Sequence, residues 1–291
     1  MEQFQVRPED FVVLDEESPQ WASMFRRTFV VWTQPSTIIA SIEESSSWFR
    51  SWWLEPLVAT LSFAVWIHFY SYHERRQGLS RVNHFLDWAL DFRWGDIYAS
   101  LVGYWIGVYA FIMLRDSWNN KQNLEHGIPT SLSELSNLVA EVVVGVVFYD
   151  ALFFCVHMAM HEIPCLKHIH FRHHHVVDHK LEASDVLRHS ILDGSLQVLC
   201  NILVQERNVW NGSRKTLLAR LLHNVVVTWM LTESHAACPS PSFWRRWCKG
   251  VRLHRSHHLG TKNKKYPRYQ QFFGYLDDAR EHFSMIMSSN N

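Results

Sequence analysis

Cysteine is scarce in this chain of 291 residues: Cys155, Cys165, Cys200, Cys238 and Cys248 are odd in number, widely spaced and form no Cys-x2-Cys pair. That pattern excludes a disulfide scaffold and a zinc ribbon. A charge surplus is also missing, because 28 basic and 28 acidic side chains cancel. Nucleic-acid binding needs a concentrated basic surface, so no nucleic-acid partner is expected. Neither a Gly-x-Ser-x-Gly elbow nor a His-Glu-x-x-His pair occurs, which removes two common arrangements for hydrolysis. Gly103 and Gly107 stand alone within an apolar run and make no dinucleotide fingerprint. The first 30 residues are polar and acidic, without the basic start and apolar run of a cleaved signal peptide.

Tryptophan and histidine are what the chain has in quantity, 14 and 19 residues respectively. Tryptophan suits a membrane interface, where its apolar ring and polar N–H are both satisfied; the stretch around Trp48, Trp52 and Trp53 reads as such an anchor. Ile97 to Leu114 is 18 residues without a charge, close to the ~20 a helix needs to span a bilayer. Pro56 to Tyr72 and Leu138 to Val156 are similar, the latter interrupted by Glu141 and Asp150. Ile191 to Gln205 and Leu217 to Thr232 are weaker. Core helices of a soluble α protein would explain one such run, but not three. The expected fold is therefore an all-α, multi-spanning membrane bundle of about four to five transmembrane helices with a cytosolic histidine-rich cap.

Three regions are expected: a polar N-terminal region over 1–55, a pair of transmembrane helices over 56–135, and a third unit over 136–291 that carries the histidines. Arg75, Arg76, Arg81 and Arg93 make the first loop basic, whereas Lys121 is the only Lys or Arg between Asp116 and Asn137. The positive-inside rule then puts the Arg-rich loop in the cytosol, and five crossings return the basic C-terminal tail to the same side. Asn211-Gly212-Ser213 forms a glycosylation sequon close to the membrane and carries little weight.

The third apolar run leads directly into a histidine constellation. His157 and His161 are spaced i, i+4 and so share one helical face. After eight residues comes His170-x2-His173-His174, and the same box returns as His254-x2-His257-His258. A neutral imidazole offers a metal one lone pair, so several must converge on each ion, and these spacings allow it. A solvated His-rich loop would not repeat boxes at helical spacing, and a structural zinc would close with four ligands and usually recruit cysteine. A metal transporter would hold its ligands at the membrane midplane, whereas these boxes follow helix ends.

Asp150 to His174 resembles the fatty acid hydroxylase/sterol desaturase superfamily of integral-membrane, non-haem diiron enzymes. Asp150, His157, His161, His170, His173 and His174 match that family's motifs in order and spacing, and His254, His257 and His258 match its last box. His235 in Glu233-Ser-His-Ala-Ala resembles the single histidine of the family's His-Ser-Gly element. His189 falls where sterol-type members carry His-Pro-x-Glu, but Ser190 and Leu192 replace the proline and glutamate. Met158 departs from the usual arginine, and the match fades around Phe272 to Asp278.

The resemblance implies that nine histidines (157, 161, 170, 173, 174, 235, 254, 257 and 258) hold two irons. Dioxygen would be the cosubstrate, and electrons would come from NAD(P)H through a b-type cytochrome or reductase partner. It implies hydroxylation of a lipophilic small molecule such as a sterol, terpenoid or fatty acyl chain, in the endoplasmic reticulum membrane with the boxes facing the cytosol. Desaturation at the same site and a non-catalytic membrane metal-binding protein are the alternatives. Asp150, two helical turns before His157, is placed to accept a ligand's second ring N–H. His223, on an apolar helix, stays open; His68, His73, His84, His126 and His282 have no box partners and read as ordinary polar residues.

Overall fold

The computed structural model describes residues 53–79, 92–118 (backbone only at 92–97 and 116–118), 128–171, 173–174, 181–208, 212–237, 248–259 and 268–289. The polar N-terminal region up to residue 52, Arg81, His84, Lys121, His126, His175, His179, the sequon asparagine Asn211 and the basic stretch 260–267 lie outside them. The described residues form eight α-helices and no strand: α1 (Leu54–Arg76), α2 (Phe92–Trp118), α3 (Leu132–Glu162), α4 (Pro164–His170), α5 (Ile191–Glu206), α6 (Leu217–His235), α7 (Lys249–His258) and α8 (Tyr275–Ser289), with a 3₁₀ turn at Ala183–Leu187. All fall within one compact unit, Trp52–Asn291.

Local chemistry sets the boundaries of the helices that carry the site. Ser131 caps α3 by accepting from the Glu134 amide at 3.2 Å, and Glu134 in turn accepts from the Thr130 amide at 2.7 Å. At the other end Ile163 adopts an extended conformation (ψ 119°) because Pro164 follows it, so α3 stops and α4 starts in a new direction. Ser190 and Thr216 cap α5 and α6 in the same way.

Helix α6 is the inner element, packed along α1 and also touching α3, α7 and the 3₁₀ turn. Its buried face is polar as well as apolar, with Arg220, His223, Asn224, Thr228, Thr232 and Ser234 all inside. Arg220 and Arg115 both bond the Glu55 carboxylate, at 3.1 and 3.3 Å, tying α6 and α2 to α1. Trp229 donates to the Tyr70 hydroxyl at 2.9 Å and Trp66 to the Val225 carbonyl at 3.2 Å. A core of Phe63, Ile67, Leu101, Val146, Tyr149, Phe153, Val227, Met230, Leu231 and Phe272 fills the space between these helices.

Among the described residues, two helices are long and apolar enough to cross a membrane, over Tyr98–Arg115 and Leu132–Glu162. Both leave apolar side chains exposed at helical spacing: Tyr98, Val102 and Ile106 on α2; Leu135, Val139 and Val143 on α3. Four to five such spans were expected. Helices form at the other three apolar segments, but α5 is short at 16 residues and carries Asp193, Gln197, Asn201 and Gln205, and α6 has its buried polar face.

Candidate metal centre

The site lies at the C-terminal end of α3, where that helix meets α4, the end of α6 and the whole of α7. Helix periodicity stacks His157 and His161 on one face of α3, with their Nε2 atoms 3.1 Å apart. The break at Ile163-Pro164 swings α4 back, so that His170 and the turn residues His173 and His174 face them; His170 and His174 Nε2 lie 3.0 Å apart. His235, the last residue of α6, meets His173 at 3.3 Å. On α7, His254 and His258 share a face with Nε2 atoms 3.0 Å apart, and His257 reaches His161 at 3.0 Å.

The ligand atoms form two groups, His157, His161, His170 and His174, and His173, His235, His254 and His258, each lying within 4.8 Å of one another. The groups adjoin: the His174 and His258 rings stack with centroids 4.3 Å apart. His257 belongs to neither set of four but touches the first through His161. Thus the structure gathers all nine expected histidines into one double cluster. Its nitrogen spacing suits metal ligation, since bonds of about 2.1 Å at right angles put ligand nitrogens about 3.0 Å apart.

Four of the ring nitrogens facing away from the cluster are held by other groups, whereas His254 and His258 Nδ1 are buried without a hydrogen-bond partner among the described residues. His157 Nδ1 lies 2.7 Å from the Tyr269 carbonyl, His173 Nδ1 3.0 Å from the Arg188 carbonyl, and His235 Nδ1 2.8 Å from the Leu231 carbonyl. Each carbonyl can only accept, so each Nδ1 carries the proton and each Nε2 presents its lone pair to the cluster. His170 Nδ1 donates to the Asp193 carboxylate at 2.9 Å. Burial, reinforced by the neighbouring imidazoles, holds His173, His174, His254 and His258 well below the ordinary imidazole range. The rings are therefore neutral near pH 7, as ligation requires.

Asp150 does not do what its position in the sequence suggests. Its buried carboxylate accepts from Gln270 Nε2 and from the backbone amides of Gln271, Phe272 and Phe273, at 2.7 to 3.2 Å, and from no imidazole. The side chain two turns before His157 points to the C-terminal segment, whereas Asp193 supplies the carboxylate that orients a ring of the cluster, His170. Asp193 was missed in the sequence. Its signal was an acidic residue in the first turn of an apolar helix, just past the position where sterol-type members carry glutamate.

His189 lies beside the cluster but outside both groups, its ring 6.3 Å from that of His173 and pressed into the notch at Gly194. His223 is fully buried yet distant from the site, donating to Asn201 Oδ1 at 3.0 Å. His68 bonds the Ala64 carbonyl of its own helix, and His168 and His282 are exposed.

Residues 142–280, which contain Asp150, Asp193 and all nine clustered histidines, match the family model for fatty acid hydroxylase. No curated protein and no solved structure matches the chain.

Proposed function

From a domain at residues 142–280 that belongs to the fatty acid hydroxylase family, we propose that the chain is a membrane-embedded oxygenase that hydroxylates a C–H bond of a lipophilic small molecule. The observation that carries this reading is the pair of adjoining all-histidine groups. The family uses iron, and the donor set suits two irons: eight imidazoles in two fours, with His257 at their edge and no thiolate among them. Bound there, the irons would activate dioxygen with two electrons from outside, the chemistry needed to attack an unactivated or allylic C–H bond.

The protein's own contribution is orientation and exclusion of water. Asp193 and the carbonyls of Tyr269, Arg188 and Leu231 keep a proton on each Nδ1, so that four rings stay in one tautomer. Burial of His157, His170, His235 and His254 keeps water from competing for the same nitrogens. Exposed apolar stripes on α2 and α3 continue on α1 at Leu61, Val65 and Phe69. These stripes favour a bilayer as the medium from which substrate arrives. In this reading α1, α5 and α6 complete the membrane bundle with their polar faces turned inward, and the site opens to the cytosolic side of the endoplasmic reticulum. A b-type cytochrome or NAD(P)H-linked reductase supplies the electrons, because the sequence carries no dinucleotide fingerprint of its own.

Protein from iron-replete cells should contain about two irons per chain, the stoichiometry of two four-histidine sites. Mass spectrometry of lipids from cells expressing the protein under labelled dioxygen should find a product with one labelled oxygen atom. An unlabelled alkene formed with oxygen consumption would assign desaturation instead. Turnover without dioxygen or reductant would overturn the oxygenase reading.

A further inference from the structure

A segment outside every histidine box touches each of the three helices that carry most of the ligands. Residues Tyr269 to Phe273 form a strap between α7 and α8. Four hydrogen bonds to Asp150 fix it to α3. Asp277, in the first turn of α8, accepts from the Tyr269 and Gln270 amides, both at 2.9 Å. Gln271 Nε2 reaches Ser234 beside His235, at 3.0 Å. On α7, Gly250 lets the strap pass: a Cβ there would lie 2.5 Å from the Phe272 carbonyl carbon and 2.8 Å from the Phe273 amide, backbone that cannot step aside. Gly274, at φ +79°, turns the strap into α8 through a conformation that only glycine adopts without strain.

What the strap delivers is unequal between the two histidine groups. Its Tyr269 carbonyl takes the Nδ1 proton of His157 at 2.7 Å. The Tyr269 ring lies 5.2 Å from His161 and 5.8 Å from His257, and its hydroxyl is fixed by Glu162 at 2.7 Å. These contacts fall on His157 and His161 of the first group and on His257 at its edge; toward the second group the strap acts one step removed, through Gln271 and the Ser234 hydroxyl, which lies 3.1 Å from His235 Nδ1. In the group containing His173, the outward nitrogens of His173 and His235 are held by the Arg188 and Leu231 carbonyls, and those of His254 and His258 have no hydrogen-bond partner among the described residues.

We infer that Asp150 and Asp277 are positioning residues for one metal of the two: they clamp the 269–273 strap so that its Tyr269 carbonyl and ring fix His157, His161 and His257. Asp150 thus acts on His157 through the strap and not by touching it. The inference rests on the double cluster being a metal centre. It reaches beyond that reading by dividing the two sites energetically and by assigning a role to a segment that the histidine boxes do not include.

Cobalt(II) titration of the metal-free full-length protein in detergent, read by its visible absorption, tests this without any turnover. The wild type should take up two equivalents. Asp150→Asn leaves one carbonyl oxygen for four donors, and it should weaken one equivalent by about tenfold to a hundredfold, as loss of outer-shell support usually does, while leaving the other unchanged. Asp277→Asn should do the same more mildly, and it serves where Asp150→Asn fails to fold. In a His161→Ala background, which removes the strap-side site, neither aspartate change should alter the remaining equivalent. Equal weakening of both equivalents, or an effect that persists in the His161→Ala background, would show general stabilisation and overturn the inference; so would unchanged binding in both aspartate variants. A wild type that binds no cobalt would instead overturn the metal-centre reading and this inference with it.

Discussion

Helix α3 carries two buried polar regions about 24 Å apart, sixteen residues at 1.5 Å each, and they are built in opposite ways. Around His157 the groups are of one kind, imidazoles; the outward nitrogens of His157, His170, His173 and His235 bond carbonyls or a carboxylate while the Nε2 atoms crowd together. Around Glu141 and Gly145 the groups are mixed and several bond one another, although Lys215 Nζ and Glu141 Oε2 are buried without a hydrogen-bond partner among the described residues. Asn208 donates to Glu141 at 2.6 Å, His223 to Asn201 at 3.0 Å, and Asn224 Oδ1 accepts from Asn201 and Gln205 at 2.8 and 2.9 Å. Like donors with lone pairs converging need a cation; unlike donors and acceptors can complete each other. A buried histidine is thus read from what its two nitrogens face, and His157 and His223 are the same residue type in different chemistry.

Breaking the first region should have the largest effect. His257→Ala or His173→Ala should abolish product formation and lower iron content, measured by elemental analysis beside product analysis. Full activity in His257→Ala would remove that box from the site. Asp193→Ala should be next, weakening metal binding by about tenfold to a hundredfold because His170 Nδ1 loses its acceptor. Competition with a chelator measures it, and an unchanged affinity would leave Asp193 a merely structural carboxylate.

Acid should separate the regions further. His173, His174, His254 and His258 titrate below their unfolded value of about 6.5 because burial disfavours the cation. The unfolded chain therefore binds more protons once pH falls below about 6.5, so their contribution to stability is present above that value and lost as pH falls towards the folded values. Metal-free protein should show a falling Tm over this range, and wild type should release iron over it. A Tm that is level down to pH 5 would contradict the burial of these rings.

The smallest effect belongs to the second region. At Gly145 an added Cβ would lie 2.5 Å from Lys215 Nζ and 2.9 Å from His223 Nδ1. Gly145→Ala should cost about 1–3 kcal/mol through crowding, read by thermal unfolding, with iron content unchanged. Loss of iron in that variant would mean that the two regions are coupled along α3.

Much of the site could be read from the chain because helical spacing is local. His157 and His161, His170 and His174, and His254 and His258 each lie four residues apart, so any helix through them pairs their rings. Asp150 lies on the same α3 face as His157, yet that adjacency misassigned it, because periodicity fixes the side a residue takes and not the group that comes to meet it. The partner was the Gln270–Phe273 segment, 120 to 123 residues away, in a stretch whose sequence matched the family pattern poorly. Its bonds are mostly through backbone amides, which leave no mark on residue identity.

The sequence by itself determined the helical class of the described residues, the apolar runs at α2 and α3, and nine histidines of one chemistry in recurring boxes, because helix period and hydropathy depend on near neighbours. Tertiary structure alone decided how those histidines divide into two groups, that Asp193 and not Asp150 holds the ring of a clustered histidine, and that His223 serves a separate polar network. Those outcomes depend on which helix ends meet and on which buried donor finds an acceptor, and both are set by packing between residues far apart in the chain.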